Sequence, residues 1–411
     1  MKEREYDIIV FGATGFTGKL VVEYIIEQYG LKNNKLFRWA IAGRDIKKLE
    51  NLKSKLLKVN GEVKDLDLLV ADSFDDEAID KITKSARLII STVGPYIKYG
   101  KALVSSCANN GTHYCDLTGE VPFIRESIDS NNEIAKENNC KIIHSCGFDS
   151  IPSDLGVLLI QKEALEKYKI PCEEIKYYVR ATRGGLSGGT IASMIAISAY
   201  IKSNPSLSSL LGNPYALNST SFNGPRVSSL RSIKWDDEVK LWLAPFVMSG
   251  INTRIVRRSN EMLNFEYGKE FLYSEVSSFS KGFKGYIKSL YMLFGLGLAK
   301  VLMSYRPTFL FLRKFILPSP GEGPTRYERE NGFFKILLIG KAGENKISCS
   351  VIGDRDPGYS GTAKMLTEAA LSIILDQKKI PQNFGVLTPA SGIGITLINR
   401  LESKGVVFKI C

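Results

Sequence analysis

The chain has 411 residues, of which 44% are hydrophobic and 24% are charged, and its formal net charge is +12. This length predicts two or three domains, and the composition argues against extensive disorder. The positive charge suits a phosphorylated cofactor, an acidic substrate or an anionic membrane surface. Because Lys and Arg are spread along the chain and are not gathered into one stripe with stacking aromatics, we expect no nucleic-acid partner.

The cysteines and histidines exclude several kinds of site. The seven cysteines include no C-x-x-C pair, and the only histidines are His113 and His144. We therefore expect reduced thiols and no metal site. The N-terminal stretch MKEREYD is charged and contains no apolar run, so we expect no signal peptide and a cytoplasmic protein.

The first 150 residues alternate between strand and helix patterns six times. Such alternation predicts a parallel sheet with helices on both faces, right-handed crossovers and the strand order 3-2-1-4-5-6 of a Rossmann domain. The predicted strands are 6–11, 36–42, 68–71, 87–92, 112–115 and 141–144, and the predicted helices are 16–28, 46–57, 75–84, 100–110 and 123–138.

The rhythm changes after Ile151 and predicts a second, mixed α/β domain. Its predicted elements are helices 153–168, 190–201 and 362–375, strand 174–181, an irregular connection over 203–235, a hairpin of strands 333–340 and 346–353, and an amphipathic segment 395–404. We divide the chain into a nucleotide-binding domain (1–152), a substrate and dimerisation domain (153–355) and C-terminal helices that pack back on the first domain (356–411). The hairpin in the second domain favours a homodimer.

Residues 286–317 form the most apolar stretch, but Lys300, Arg306 and Pro307 interrupt it. No window of 18 uncharged residues exists, so we expect no transmembrane helix. Buried helices of the second domain are the favoured interpretation. The alternative is a surface that docks on lipid at a membrane, or that lines a long acyl pocket.

The first predicted strand runs directly into GATGFTG, a glycine triplet with the spacing G-x-x-G-x-x-G. Gly12 would make the tight turn, Gly15 would admit a diphosphate to the backbone amides, and Gly18 would let the helix pack close to the strand. Because the motif follows a strand, opens a helix and begins the alternation, we predict a dinucleotide site. The predicted cofactor-binding residues of this loop are Gly12, Ala13, Thr14, Gly15, Phe16, Thr17 and Gly18.

The end of the second strand selects the cofactor. It reads Ala42-Gly43-Arg44, where an NAD site would carry an acidic residue on the ribose. The planar guanidinium of Arg44 suits a 2′-phosphate, so Gly43 and Arg44 favour NADP(H). Asp45 is the contrary indication, because its carboxylate could bind a 2′-hydroxyl.

Further cofactor contacts are predicted where later strands end. Asp72 and Ser73 follow the third strand on the adenine side. The residues Val93, Gly94 and Pro95 follow the fourth strand beside the nicotinamide ribose.

The loops 94–100 and 146–156 leave the same sheet edge and are the predicted floor of the active site, the second also serving as the hinge into the second domain. The candidate catalytic residues in and beside these loops are Tyr96, Tyr99, His144, Asp149 and Ser150, as donors of a proton or hydrogen bond. We expect Ser153 and Asp154 to cap the following helix instead. Cys146 has no basic neighbour in sequence, so a reactive thiol is unsupported.

Several motifs in combination resemble the saccharopine dehydrogenase-like oxidoreductases. They are GATGFTG, AGR, STVGPYIKYG, THYCDLTGE and CGFDSIPSDLG, with further matches at 184–193, 353–371 and 385–394. This group includes the trans-acting enoyl reductases of bacterial lipid synthesis and a eukaryotic relative associated with lipid droplets. The resemblance implies an NADP-binding Rossmann domain, a second α/β domain and redox chemistry on an often lipid-like substrate.

We therefore expect an NADPH-dependent oxidoreductase that reduces a bulky, apolar, enoyl-type substrate. A first alternative acts at a C–N bond, as saccharopine reductase does, and would need Arg180 and Arg183 to face the nicotinamide. A second alternative keeps the dinucleotide fold but serves as a lipid-surface adaptor or redox sensor, with 286–317 exposed.

Overall fold

The computed structural model describes residues 4–411 apart from 32–35, 59, 186–187, 205–206, 220, 228, 305–307, 309–310 and 313–320. The described chain contains two seven-stranded sheets. The first sheet is entirely parallel, and the second is mixed. The predicted α/β fold class, a Rossmann sheet with a second mixed α/β domain, is confirmed.

The first sheet has the order β13-β6-β5-β4-β1-β2-β3, which contains the predicted order of the first six strands. Helices cover the sheet, so central strands such as YDIIVF are buried along almost their whole length. The strands are β1 (Tyr6–Phe11), β2 (Trp39–Gly43), β3 (Asp67–Val70), β4 (Ala86–Ser91), β5 (His113–Asp116), β6 (Lys141–Ile143) and β13 (Gly385–Leu387).

The helices of this domain follow from apolar spacing and from their caps. In α2, Leu49, Leu52 and Leu56 are buried on one face, while the Asp45 side chain accepts a hydrogen bond from Lys48 N at the N-terminus. The helices are α1 (Phe16–Tyr29), α2 (Ile46–Leu57), α3 (Asp76–Ser85), α4 (Tyr96–Tyr99), α5 (Lys101–Asn110) and α6 (Val121–Glu137), and a 3-10 helix spans Gly61–Asp65.

The second sheet has the order β14-β12-β11-β7-β10-β9-β8. The predicted hairpin, β11 and β12, lies inside this sheet between β14 and β7, and only the pair of β7 and β10 is parallel. The strands are β7 (Glu174–Arg183), β8 (Lys234–Asp236), β9 (Leu241–Pro245), β10 (Leu272–Phe279), β11 (Phe333–Ala342), β12 (Asn345–Gly353) and β14 (Val406–Ile410).

The remaining helices are α7 (Ile151–Tyr168), α8 (Gly188–Ser203), α9 (Leu207–Gly212), α10 (Ser249–Met262), α11 (Phe283–Ser304), α12 (Arg326–Glu330), α13 (Ser360–Leu375), α14 (Pro389–Gly392) and α15 (Ile395–Glu402). The region 203–235, predicted to be irregular, therefore contains α9. The segment 356–411, predicted to be helical, also contributes one strand to each sheet. Both strands are short, at three and five residues, and pair with strands far away in the sequence.

Helix α7 carries the chain from the first sheet to the second and is buried on all sides of its first three turns. Ser150 is the N-cap residue, but no side chain caps this end, so the predicted capping role of Ser153 and Asp154 is wrong. Asp154 instead reaches across the core, where its carboxylate accepts hydrogen bonds from Ser259 Oγ and from Ala390 N, the latter at 2.8 Å. Burial raises the pKa of Asp154 to about 7, although these hydrogen bonds oppose the increase.

Helix α11 does not enter the core. Between residues 283 and 298, only Gly285 and Ser289 are buried. The favoured interpretation of 286–317 as buried helices is therefore wrong for α11; much of 305–317 lies outside the described residues. None of the helices in the described part of the chain combines the length and apolarity needed to span a membrane.

The buried Asp154 carboxyl predicts a pH-dependent stability. Its folded-state pKa of about 7 exceeds the ordinary value of 3.8, so the folded state holds a proton that the unfolded state releases between these values. Stability should therefore fall as pH rises from about 4 to 7, by up to about 1.4 kcal/mol per pH unit for this group. We expect Asp154→Asn to reduce this fall, measured as the melting temperature across that pH range.

The exposed carboxyl of Asp76 supplies the matched control. Asp76→Asn should leave the pH dependence of the melting temperature unchanged. A pH profile of Asp154→Asn that runs parallel to that of the unsubstituted protein would contradict the assignment. Other buried carboxyls are present in all three proteins and cancel in the comparison.

Candidate functional site

The glycine loop after β1 brings backbone segments so close together that larger residues cannot fit. Gly12 has a φ of +86°, and a β-carbon there would lie 2.5 Å from Val93 Cγ2. A β-carbon on Gly18 would lie 2.1 Å from the Gly12 carbonyl oxygen. The first and third glycines of the motif are therefore required by sterics, and α1 starts directly against the end of the sheet.

The N-terminus of α1 is open to a ligand. Gly15 is the N-cap residue, and no side chain caps this end of the helix. The Gly15 amide turns back to the Gly12 carbonyl at 3.0 Å, which fixes the loop beneath the first helical turn. Uncapped amides and the positive end of the helix dipole suit a diphosphate, so this cradle fits a dinucleotide.

Two neighbouring residues after β2, the basic Arg44 and the acidic Asp45, have different roles. Arg44 is exposed at the strand end. Asp45 accepts a hydrogen bond from Lys48 N at 3.1 Å and so caps α2. Because capping already uses the Asp45 carboxylate, the geometry favours Arg44 as the residue that recognises the cofactor's second ribose, as NADP(H) requires.

The loops after β3 and β4 meet through an aromatic contact. The rings of Phe74 and Tyr99 have centroids 5.4 Å apart, and the Asp72 carboxylate holds the first loop by accepting from Phe74 N at 3.0 Å. This contact draws Tyr99 towards the β3 side of the cleft, where Asp72 and the buried Ser73 are predicted to lie beside the adenine. The position suits a wall of the adenine site better than a proton donor.

Tyr96 lies beneath the loop that carries Val93, Gly94 and Pro95. Its hydroxyl donates to the Ser91 carbonyl oxygen at 3.1 Å, and burial raises its pKa. The amides of Tyr96 and Ile97 donate to the Glu120 carboxylate at 3.0 and 2.8 Å. These contacts favour a structural role for Tyr96, which holds the loop on β4 and β5.

His144 is enclosed within the first domain. Its Nδ1 lies 2.8 Å from Asp116 Oδ2 and its Nε2 lies 2.8 Å from Ser127 Oγ. Asp116 also accepts from the Tyr114 hydroxyl and from the amides of Thr118 and Ser145. With both ring nitrogens hydrogen-bonded and the ring buried, His144 is better placed to position the loops after β5 and β6 than to reach a substrate.

Asp149 differs from the other candidates because the residue is half-buried and its carboxyl, which is shielded from water, is unpaired. No hydrogen-bond donor or cation contacts it among the residues that the structure describes. A β-carbon placed on Gly119 would lie 3.8 Å from Asp149 Oδ2, so the group lies between the loops that follow β5 and β6. Burial raises its pKa to about 6. It is the candidate that can exchange a proton near neutral pH.

Ser150 connects this loop to the second domain through a buried polar chain. Ser150 Oγ donates to Asn252 Oδ1 at 3.2 Å, Asn252 Nδ2 donates to Glu275 Oε2 at 3.0 Å, and the Tyr273 hydroxyl donates to Glu275 Oε1 at 2.7 Å. Burial raises the pKa of Glu275 to about 7. This series of hydrogen bonds fixes α10 and β10 to Ser150, the residue next to Asp149.

Residues from the second half of the chain pack against the glycine loop. The ring of Tyr359 packs edge-on against Phe16, with centroids 5.1 Å apart, and its hydroxyl lies 3.1 Å from Thr190 Oγ1. Thr362 Oγ1 accepts from Phe148 N at 3.0 Å, which ties α13 to the loop after β6. The motif at 353–371 contributes to the resemblance, but sequence reasoning assigned these residues no role, because nothing local indicates which distant loop they contact.

The arginines named for the C–N alternative, Arg180 and Arg183, are exposed near the end of β7. Beyond them, the glycine-rich turn includes residues 186–187, which lie outside the described residues.

Cys146 is fully buried, and burial raises the pKa of its thiol, which opposes a role as a thiolate nucleophile.

Comparisons with known proteins identify the family and agree with the fold. A family model for the saccharopine dehydrogenase NADP binding domain matches residues 8–143. The chain is 36% identical to a provisionally named trans-acting enoyl reductase of Mycobacterium tuberculosis and 33% identical to the trans-acting enoyl reductase of Mycobacterium ulcerans, covering 98% of this chain and 97% of each relative. The solved apo saccharopine dehydrogenase (L-Glu forming) from Saccharomyces cerevisiae has the same fold, with a TM-score of 0.52, 14% identity and 99% coverage of both chains. The prediction of NADP(H) as the cofactor is confirmed.

Arg44 and Asp45 form a pair of adjacent substitutions that tests the cofactor site. Arg44→Ala should weaken NADPH binding by about 10-fold or more and leave NADH binding unchanged, because it removes only a charge-assisted contact to the 2′-phosphate. Asp45→Ala should lower the melting temperature through loss of the α2 cap and preserve the preference for NADPH. Fluorescence titration with both cofactors measures the preference. If Asp45→Ala removes it and Arg44→Ala does not, the two roles are reversed.

Proposed function

Because this chain belongs to the saccharopine dehydrogenase-like oxidoreductase family, which includes the trans-acting enoyl reductases, we propose that it reduces the C=C bond of a bulky, apolar, enoyl-type substrate with NADPH. The coarser activity, an NADP-dependent oxidoreductase, follows from the family and from the glycine cradle. The enoyl substrate class is carried over from the names of the relatives. The observation that carries the proposal is the unpaired Asp149 carboxyl at the carboxyl edge of the first sheet.

Reduction of an activated C=C bond requires a hydride and a proton. Bound NADPH supplies the hydride. The glycine loop and Arg44 are the residues that would hold the two phosphorylated parts of the cofactor, and the loops after β4, β5 and β6 leave the sheet edge near Asp149. The protein must therefore provide the proton from this edge.

Asp149 suits this task because its carboxyl, with a pKa of about 6, keeps an appreciable protonated fraction near neutral pH. In the proposed reaction the protonated carboxyl donates to the substrate carbon that does not receive the hydride, and the carboxylate is then reprotonated from solvent. Ser150 and Asn252 hold the loop in place through the buried chain to Glu275, so they act as positioning residues.

The C–N alternative makes a different demand on the site. An amino-dicarboxylate requires cations that reach the nicotinamide, and the named candidates Arg180 and Arg183 are exposed near the end of β7. The adaptor alternative predicts exposure of 286–317, and α11 is exposed. That exposure does not compete with the reductase proposal, because α11 packs on the second sheet and the glycine loop lies at the end of β1 in the first sheet.

The proposal is tested by following NADPH oxidation with long-chain enoyl thioesters and, in parallel, with a keto acid plus an amino acid as substrates for reductive C–N bond formation. We expect turnover with the enoyl substrates only. Turnover confined to the C–N pair would replace the proposal by its alternative. Absence of turnover with both, despite tight NADPH binding, would contradict the proposed reduction.

Asp149→Asn should lower kcat about 100-fold or more and leave the NADPH dissociation constant unchanged, because it removes a proton donor without removing a cofactor contact. For the unsubstituted protein, kcat/KM of reduction should fall as pH rises through about 6, since Asp149 then loses its proton. The residual activity of Asp149→Asn should lack this dependence. The exposed Asp76→Asn should match the unsubstituted protein, and retention of the pH profile in Asp149→Asn would exclude this carboxyl as the donor.

A further inference from the structure

Helix α11 exposes an apolar surface that has no counterpart elsewhere in the described chain. Its sequence from 289 to 299, SLYMLFGLGLA, contains no charge. Tyr291 is 73% exposed, Phe294 is 67% exposed and Val301 is 65% exposed. At helical spacing, Leu290, Phe294, Leu298 and Val301 form one strip, and Met292 extends the exposed surface to another side. A helix that is apolar on several sides requires a core or a lipid environment.

The base of this helix is fixed to the second sheet by aromatic residues. Trp242 Nε1 donates to the Gly282 carbonyl oxygen at 3.1 Å, and the Trp242 ring lies 4.9 Å from that of Tyr286. Trp235 packs against Trp242 with centroids 5.2 Å apart. Helix α11 is therefore held on β9 and β10, and most side chains after Ser289 are exposed.

The charge pattern of the sequence in and beside α11 distinguishes between two possible occupants of this surface. Residues 276–321 contain seven basic residues and no acidic residue: Lys281, Lys284, Lys288, Lys300, Arg306, Arg313 and Lys314. Lys281, Lys284 and Lys288 are exposed at the base of α11. If a second copy of the chain covered the apolar strip through the same region, it would bring the same positive charges into contact. Anionic lipid headgroups would neutralise them.

We propose that α11 docks the protein on an anionic lipid bilayer, with its apolar turns in the boundary between headgroups and acyl chains. The lysines at its base contact the headgroups. Apolar burial supplies affinity in this arrangement, and the lysines add selectivity for negatively charged lipid. The aromatic cluster at the base suits the same boundary, where Trp and Tyr side chains are favoured. This inference is independent of the proposed reduction and of its substrate.

Vesicle flotation of the full chain tests the proposal, with phosphatidylcholine vesicles compared with vesicles that contain about one third phosphatidylserine. We expect at least about 10-fold stronger binding to the anionic vesicles and weaker binding at high salt. Phe294→Glu combined with Leu298→Glu should lower this binding at least about 10-fold. Lys284→Glu combined with Lys288→Glu should remove most of the preference for anionic lipid.

Ile352 and Val407 supply the matched control, because they are exposed apolar residues paired across β12 and β14. Ile352→Glu combined with Val407→Glu should bind vesicles like the unsubstituted protein. NADPH titration verifies that each variant is folded. The proposal is overturned by equal binding of the α11 and control variants to anionic vesicles, by absence of vesicle binding, or by a dimer that Phe294→Glu and Leu298→Glu dissociate without any lipid dependence.

Discussion

The first turn of α7 imposes the constraint on which the site depends, because it buries polar groups where the two sheets meet. Ser150 and Asp154 cannot reach bulk water there, so each must find a partner from a distant part of the chain. Ser150 donates to Asn252 on α10, while Asp154 accepts from Ser259 on α10 and from the backbone of α14. These partners fix the relation between the loop after β6 and the second domain.

The same burial gives the loop its acid–base character. Asp149, Asp154 and Glu275 all have pKa values raised by loss of water around the carboxyl. Two of them are hydrogen-bonded inside the protein, and their protons are tied to folding. Asp149 has no such partner among the described residues, so its proton remains available for transfer. Asp154 and Glu275 thus serve the structure and Asp149 serves the proposed chemistry, and the difference is whether a hydrogen-bond donor contacts the carboxyl.

Sequence reasoning succeeded where a local pattern determines the structure. The motif and its position between β1 and α1 predict that Gly12 and Gly18 are required by sterics, and the alternation of strands and helices predicts the strand order. The structure agrees with both predictions. The role of Asp45 was ambiguous because it lies between the end of β2 and the start of α2, where a carboxylate can either bind the cofactor ribose or cap the helix. Only the hydrogen bond to Lys48 N separates the capping role from the ribose-binding role.

Reasoning from the sequence failed where the partner of a side chain is remote. The sequence does not show that the His144 ring is enclosed, because its hydrogen-bond partners Asp116 and Ser127 come from β5 and α6. The strands β13 and β14 were missed because each depends on a strand more than 50 residues away. Asp154, expected to cap its own helix, instead bonds to residues more than 100 positions later in the chain.

The apolar stretch around α11 shows the same limitation in the opposite direction. Hydropathy alone made burial the natural interpretation, since an apolar helix in a large domain is usually part of a core.

The local charge pattern carries the missing information. A buried helix would place Lys281, Lys284 and Lys288 against protein, where charge compensation by acidic residues is needed, and the sequence from 276 to 321 provides none. Because no acidic residue offsets its seven basic residues, this segment supplies more than half of the net charge of +12, although the basic residues themselves are spread along the chain. Among the described residues, Lys281, Lys284 and Lys288 have no acidic partner and lie beside the exposed apolar side chains of α11. A headgroup layer would neutralise these charges, and its acyl boundary would accommodate the apolar side chains.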